Sequence, residues 1–105
     1  MVSRFDIWLV ALDPVIGSEI AKTRPCVILS PDEMNRYLNT VIAAPMTRTC
    51  KQWPTRQPIV FAEKEGEIAL DQLRTLSKKR LIRKLGHLPE HFQDPLLARL
   101  REMFS

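Results

Sequence analysis

From Arg4 to Leu12 nearly every position is apolar: Phe5, Ile7, Leu9 and Ala11 alternate with Asp6, Trp8, Val10 and Leu12. So short a run, dense in β-branched and aromatic residues, predicts a strand buried on much of both faces. The following stretch, DPVIGSEIAK, holds Pro14 and Gly17 and is too long for a tight hairpin, so it reads as a loop. Loops of this kind on a β scaffold often carry binding residues. Apolar character returns from Pro25 to Leu29, a second strand. In SPDEMNRY, Ser30 is placed as an N-cap, Pro31 at the first helical position and Glu33 three residues after the cap. That is a capping box, and it predicts one or two turns of helix ending near Asn39.

A third strand, NTVIAAPMT, arrives at Thr47, and the polar RTCKQWPTRQ after it, with Pro54, reads as a mobile loop. PIVFAE and GEIALDQ resemble two strands joined around KEG, a hairpin with Gly66 at its turn. From Leu76 the pattern changes. SKKRLIRKLG suggests a short helix terminated by Gly86. In DPLLARLREMF, Asp94 can cap and Pro95 can occupy the first turn, with Leu96, Leu97, Leu100, Met103 and Phe104 on one face. Strands first and a helix last favour an antiparallel α+β or small-barrel domain over a parallel βαβ sheet. No repeat or linker divides residues 1–105, so a single domain is expected.

Composition narrows the class. Apolar residues make up 45% of the 105 and charged residues 27%, an ordinary globular balance. No apolar run approaches the roughly 20 residues of a membrane span. Asp6 interrupts the N-terminal apolar stretch and no small-residue cleavage site follows, so no signal peptide is expected and the cytoplasm is the default. Two cysteines, Cys26 and Cys50, are too few for a disulfide framework, and Cys26 reads as a small core residue. With only His87 and His91 besides, no metal site is expected, unless through carboxylates alone, and no cofactor motif is present. A net charge of +4 is compatible with a polyanionic partner, and equally with solvated lysine faces.

Polar residues gather at the strand ends: Glu19, Lys22, Thr23 and Arg24 before the second strand, Thr47 and Arg48 after the third, and Asp71, Gln72 and Arg74 further on. Arg24 stands at the mouth of a buried strand. Its planar fork suits a phosphate or a phosphoryl-type transition state, and it equally suits a structural ion pair with Asp71 or Glu19. Thr47 could donate its hydroxyl to a phosphate oxygen or simply end a strand. Asp71 could form a binding edge or a turn. Trp53 could stack on a base or anchor its own loop. The KKRLIRK cluster is usually a solvated face, with nucleic-acid contact the other reading.

Taken in order, DIWLVALDPVIGSEIAKTRPCVILSPDEMN, NTVIAAPMT, WPTRQPIVF and GEIALDQLRTLSKKRLIRKLG resemble the MazF/PemK (Kid) family of toxin endoribonucleases, from about Asp6 to Gly86. The resemblance implies a small SH3-like β-barrel of the PemK/CcdB type with short helices. It further implies a homodimer, metal-free cleavage of single-stranded RNA at short sequence motifs, and neutralisation by a cognate antitoxin. By the same resemblance Arg24 and Thr47 form the catalytic pair, Glu19 is the loop glutamate and Asp71 the later acidic residue. Lys22, Thr23, Arg48, Trp53, Gln72 and Arg74 are the accompanying RNA-binding candidates. Three positions depart: Phe5 replaces a glycine before Asp6, Ser18 replaces a histidine of the Kid branch, and Ala69 replaces an arginine of that branch. A gyrase-poisoning toxin of the same barrel, or an RNA-binding relative that does not cleave, are the competing readings.

Overall fold

Alternation with a period of two sends neighbouring residues of a strand to opposite faces, and here both faces are covered. In the computed structural model, which describes residues 1–105, β1 (Asp6–Ala11), β2 (Thr23–Ile28) and β3 (Thr40–Thr47) are central, with α1 (Asp32–Tyr37) between the last two. β4 (Arg56–Phe61), β5 (Lys64–Ala69), β6 (Arg74–Ser77), β7 (Leu81–His87) and α2 (Glu90–Met103) follow. The strands lie in the order β4-β5-β3-β2-β1-β7, all pairs antiparallel, with β6 also on β3. The end strands β4 and β7 do not pair with one another, so the expected small barrel is an open sheet of seven strands. No helix is long and apolar enough to cross a membrane.

One core joins Ile7, Val27, Ala44, Met46, Ile68 and Leu70 to Leu96 of α2. The other holds Val10, Leu12, Cys26, Ile28, Val41, Ala43 and Leu76 on the opposite side. Adjacent residues of β2, Cys26 and Val27, thus enter different cores, which is why the run from Cys26 to Leu29 is apolar throughout. Burial pushes the Cys26 thiol up to about 12, so it stays protonated and serves as packing.

Several local expectations are corrected. The N-cap of α1 is Pro31, with no side-chain cap. Ser30 is buried, bonding the Asn35 side chain and accepting from the Ile42 amide at 3.0 Å, so core contacts outcompete the capping box. The helix stops at Tyr37 because Leu38 is already extended. Gly66 lies inside β5, opposite Ile59; the hairpin turn is Ala62–Glu63, both left-handed at φ +52° and +64°. Leu81–His87 is a strand rather than a helix, because the free edge of β1 accepts it from Asp6↔His87 to Val10↔Leu81. α2 begins at Glu90, four residues before the expected cap, and Pro95 lies within it. Its face is as expected for Leu96, Leu97, Leu100 and Met103, which reach the first core, whereas Phe104 lies beyond the helix and is exposed.

The departure at Phe5 leaves the turn intact. Its φ is +70°, a conformation that favours glycine. The strained residue is held on both sides, its amide donating to Ile28 O and its carbonyl accepting from Leu88 N, each at 2.8 Å. Its ring packs on the first core. Asp6, beside it, is buried and accepts from Ser3 N (2.8 Å), with Lys84 Nζ (3.3 Å) and His87 Nδ1 (3.2 Å) against the same carboxylate. Burial opposes the charge, but these partners outweigh it and hold Asp6 below its ordinary pKa.

Candidate functional site

β2 and β3 pair as far as Cys26↔Pro45. Pro25 has no N–H to extend the ladder, but the same register carried two residues further sets Arg24 opposite Thr47. Both line one cavity of about 240 Å³. Thr23, Arg48, Lys64 and Glu65 supply its other polar groups, and Met46, Ile59 and Phe61 its apolar wall. Arg24 enters no ion pair. Its Nε donates to Ala21 O at 3.3 Å, which turns the side chain toward the preceding loop and leaves the other guanidinium donors free. Neither Glu19 nor Asp71 neutralises it, so the structural ion pair is not what this arginine makes. Thr47 Oγ1 accepts from the Thr49 amide at 3.1 Å and retains its own proton to donate.

Gly66 explains how Thr47 is seated. A Cβ at Gly66 would lie 2.6 Å from the Thr47 carbonyl oxygen, so only glycine lets β5 approach the end of β3 this closely. The next residue, Glu67, is the ladder partner of Thr47.

Glu19, Asp71, Gln72 and Arg74 line a second cavity of about 370 Å³, together with Ser18 and Pro45, and it shares no residue with the first. Glu19 Oε1 accepts from Ile16 N at 2.6 Å within its own loop. Gln72 clasps that loop: its Oε1 accepts from Ile20 N at 2.7 Å and its Nε2 donates to Ser18 O at 3.5 Å. Arg74 Nη1 donates to Leu12 O at 3.3 Å. Lys22 lines neither cavity; it is exposed and left-handed (φ +68°), with its amide on Asp13 Oδ1 at 3.0 Å. Trp53 also lines neither.

Asp71 is engaged elsewhere. Arg56 Nε donates to Asp71 Oδ1 at 2.7 Å and Nη2 to Oδ2 at 3.3 Å, and Thr55 adds a bond of 3.1 Å. Burial works against the charge, but the Arg56 guanidinium outweighs it and holds Asp71 below its usual range. Arg56 also lies 3.6 Å from Glu67 Oε1. Glu67 is 2% exposed and accepts from the amides of Lys51 (3.0 Å) and Gln52 (2.9 Å). Those amides and Arg56 overcome the burial penalty, so its pKa is lowered as well. The stretch after Thr47, expected to be mobile, is therefore tied to a buried carboxylate. Trp53 caps the arrangement, with the Arg56 guanidinium 4.9 Å from its ring centroid and Lys51 5.8 Å away.

Sequence reading missed Arg56, Glu67 and the carboxylate of Glu65 in the Arg24 cavity. One signal was available for the first two: RQPIVF and GEIAL each place a charge among residues that must pair and bury. A second lies in the register. Arg56 stands directly across the ladder from Ala69, the position where the Kid branch carries arginine. No group of three or more His, Cys, Asp or Glu side chains converges to hold a metal ion.

A family model described as PemK-like, MazF-like toxin of type II toxin-antitoxin system matches residues 3–104. Among solved structures, the fold is similar to that of the Mycobacterium tuberculosis toxin MazF-mt6, at 24% identity over 94% of this chain and 95% of that one, with a TM-score of 0.81. MazF from Deinococcus radiodurans matches at 21% identity over 98% and 96%, with a TM-score of 0.86. A mycobacterial endoribonuclease solved in complex with its cognate antitoxin matches at 21% identity over 97% and 93%, with a TM-score of 0.82.

Proposed function

Because the chain belongs to the family of PemK-like, MazF-like toxins of type II toxin-antitoxin systems, we propose that it is an endoribonuclease that cuts single-stranded RNA without a metal ion. The observation that carries this reading is an unpaired guanidinium, Arg24, sharing a cavity with the hydroxyl of Thr47. In the reaction, the RNA 2′-oxygen attacks the adjacent phosphorus as its proton passes to a base. The bond from phosphorus to the 5′-oxygen breaks, and that oxygen is protonated as it leaves. The products are a 2′,3′-cyclic phosphate and a 5′-hydroxyl end.

Arg24 stabilises the charge that builds on the phosphate oxygens, and Thr47 donates a hydrogen bond to one of them. Thr23 and Arg48, in the same cavity, hold the phosphate. Of the carboxylates Glu19 and Asp71, the second is occupied by Arg56, so Glu19, from the neighbouring cavity, takes the role of base. Gln72 and Arg74 form the wall along which the next nucleotides lie, and Lys22 and Trp53, outside both cavities, serve as outlying contacts for phosphate and base. The substrate is messenger RNA in the cytoplasm, so cutting it halts translation and growth. The protein acts as a homodimer and is silenced by a cognate antitoxin; the mycobacterial relative solved with its own antitoxin supports that partner.

The test uses one RNA and its all-deoxy counterpart, in excess chelator. RNA should be cut and DNA spared, since DNA lacks the nucleophile. Intact RNA, cleavage of both, or loss of cleavage with chelator would each sink the reading. Arg24→Ala should lose about 100-fold or more in rate while remaining folded. Unfolding of that variant would show a structural arginine instead.

A further inference from the structure

Arg56 does not reach the Arg24–Thr47 cavity, yet its contacts lead to both of those residues. One arm runs through Glu67. That carboxylate holds the amides of Lys51 and Gln52, so it pins the loop that begins directly after Thr47 and Arg48. Glu67 is also the ladder partner of Thr47. The other arm runs through Asp71, gripped by two guanidinium nitrogens. The adjacent Gln72 holds Ile20 N and Ser18 O, and so the loop that carries Glu19. That loop continues to Ala21, whose carbonyl accepts from Arg24 Nε.

We infer that Arg56 is a positioning residue for RNA cleavage, one buried guanidinium that sets the two loops flanking Arg24 and Thr47 against each other. This inference rests on the endoribonuclease reading above. The geometry has a chemical reason. Glu67 is buried and loses its hydration, while Asp71, still partly exposed, brings a second negative charge to the same guanidinium. An arginine fork can satisfy both at once, whereas the point charge of lysine cannot. Arg56 is itself 5% exposed, so it acts through these partners rather than on substrate.

The experiment uses the full chain in a Trp8→Phe background, which leaves Trp53, over the Arg56 guanidinium, as the single tryptophan. Arg56→Met, Arg56→Lys and Glu67→Gln are compared with that background for Tm, acrylamide quenching of Trp53, and kcat and KM on one RNA. All rates are taken well below each Tm. Folded Arg56→Met should lose about 10- to 100-fold in kcat, the range expected when reacting groups shift by about an ångström. Its KM should change less, and Trp53 quenching should rise. Arg56→Lys should recover more of the Tm than of the kcat. Glu67→Gln severs one arm only, and should raise quenching with a smaller loss of kcat; it decides the matter if Arg56→Met does not fold.

A folded Arg56→Met with kcat within about twofold of the background would overturn the proposal, and so would a lost rate with unchanged Trp53 quenching. Failure of the background protein to cut RNA at all would instead overturn the endoribonuclease reading, and this proposal with it.

Discussion

At Gly66 the requirement is for space. A methyl group there meets backbone, the Thr47 carbonyl at 2.6 Å, and no flexible side chain can move aside. Gly66→Ala should therefore cost about 1–3 kcal/mol, the range for overpacking a fitted contact. Because β5 can yield only by moving off the end of β3, cleavage by the folded variant should fall as well. Thermal melts and RNA cleavage measured on the same preparation check both. A variant as stable and active as the parent would mean that β5 does not seat Thr47. The contrast with Phe5 is instructive. There the backbone keeps a glycine-like φ without a glycine, because two main-chain bonds and the packed ring offset the strain.

Among the elements, the β4–β5 hairpin combines good strands with a poor turn. Ala62 and Glu63 both take left-handed φ, a pairing that usually calls for Asn-Gly. Glu63→Gly should relieve strain of about 1–2 kcal/mol while adding unfolded-chain entropy, for a net gain of about 0.5–1 kcal/mol. Urea denaturation measures it, and a loss of stability would contradict the assigned turn. This hairpin also shows what was legible in the sequence. Its two strands were legible from PIVFAE and GEIALDQ, but the only nearby glycine drew the turn to the wrong place. That glycine answers a contact with β3, far away in sequence, which local pattern cannot report. β7 misled for a similar reason. KKRLIRKLG has no strict alternation, and it is a strand because β1 had an edge left to fill. At the candidate site, Arg24, Thr47 and Glu19 were visible as charges and hydroxyls at strand ends. Arg56 and Glu67 showed only as charges in the sequence, because their pairing with each other and with Asp71 is set by the folding of β4 against β5.

For the molecule as a whole, three carboxylates, Asp6, Glu67 and Asp71, have pKa values lowered by folding from ordinary values of 3.8, 4.5 and 3.8. Unfolding raises each back to its ordinary value, so the unfolded chain binds protons that the folded chain does not. The stability they contribute is complete above those ordinary values and is lost as pH falls through the depressed ones. Tm should stay level, so far as these groups set it, down to about pH 5, then fall steeply below about pH 4. Glu67→Gln should make that acid fall shallower, and an unchanged slope would show that Glu67 ionises alike in both states. The open sheet has a different consequence, one for life at high concentration. β4 and β7 end the sheet and offer main-chain groups to any passing strand. β4 carries Pro58, which cannot donate, and lies partly beneath α2, whose Arg99 bonds Gln57 at 3.0 Å. β7 carries Arg83 and Lys84 in its middle, so identical edges repel each other. Both edges therefore resist pairing with a second copy of the chain, and with it growth into ribbons.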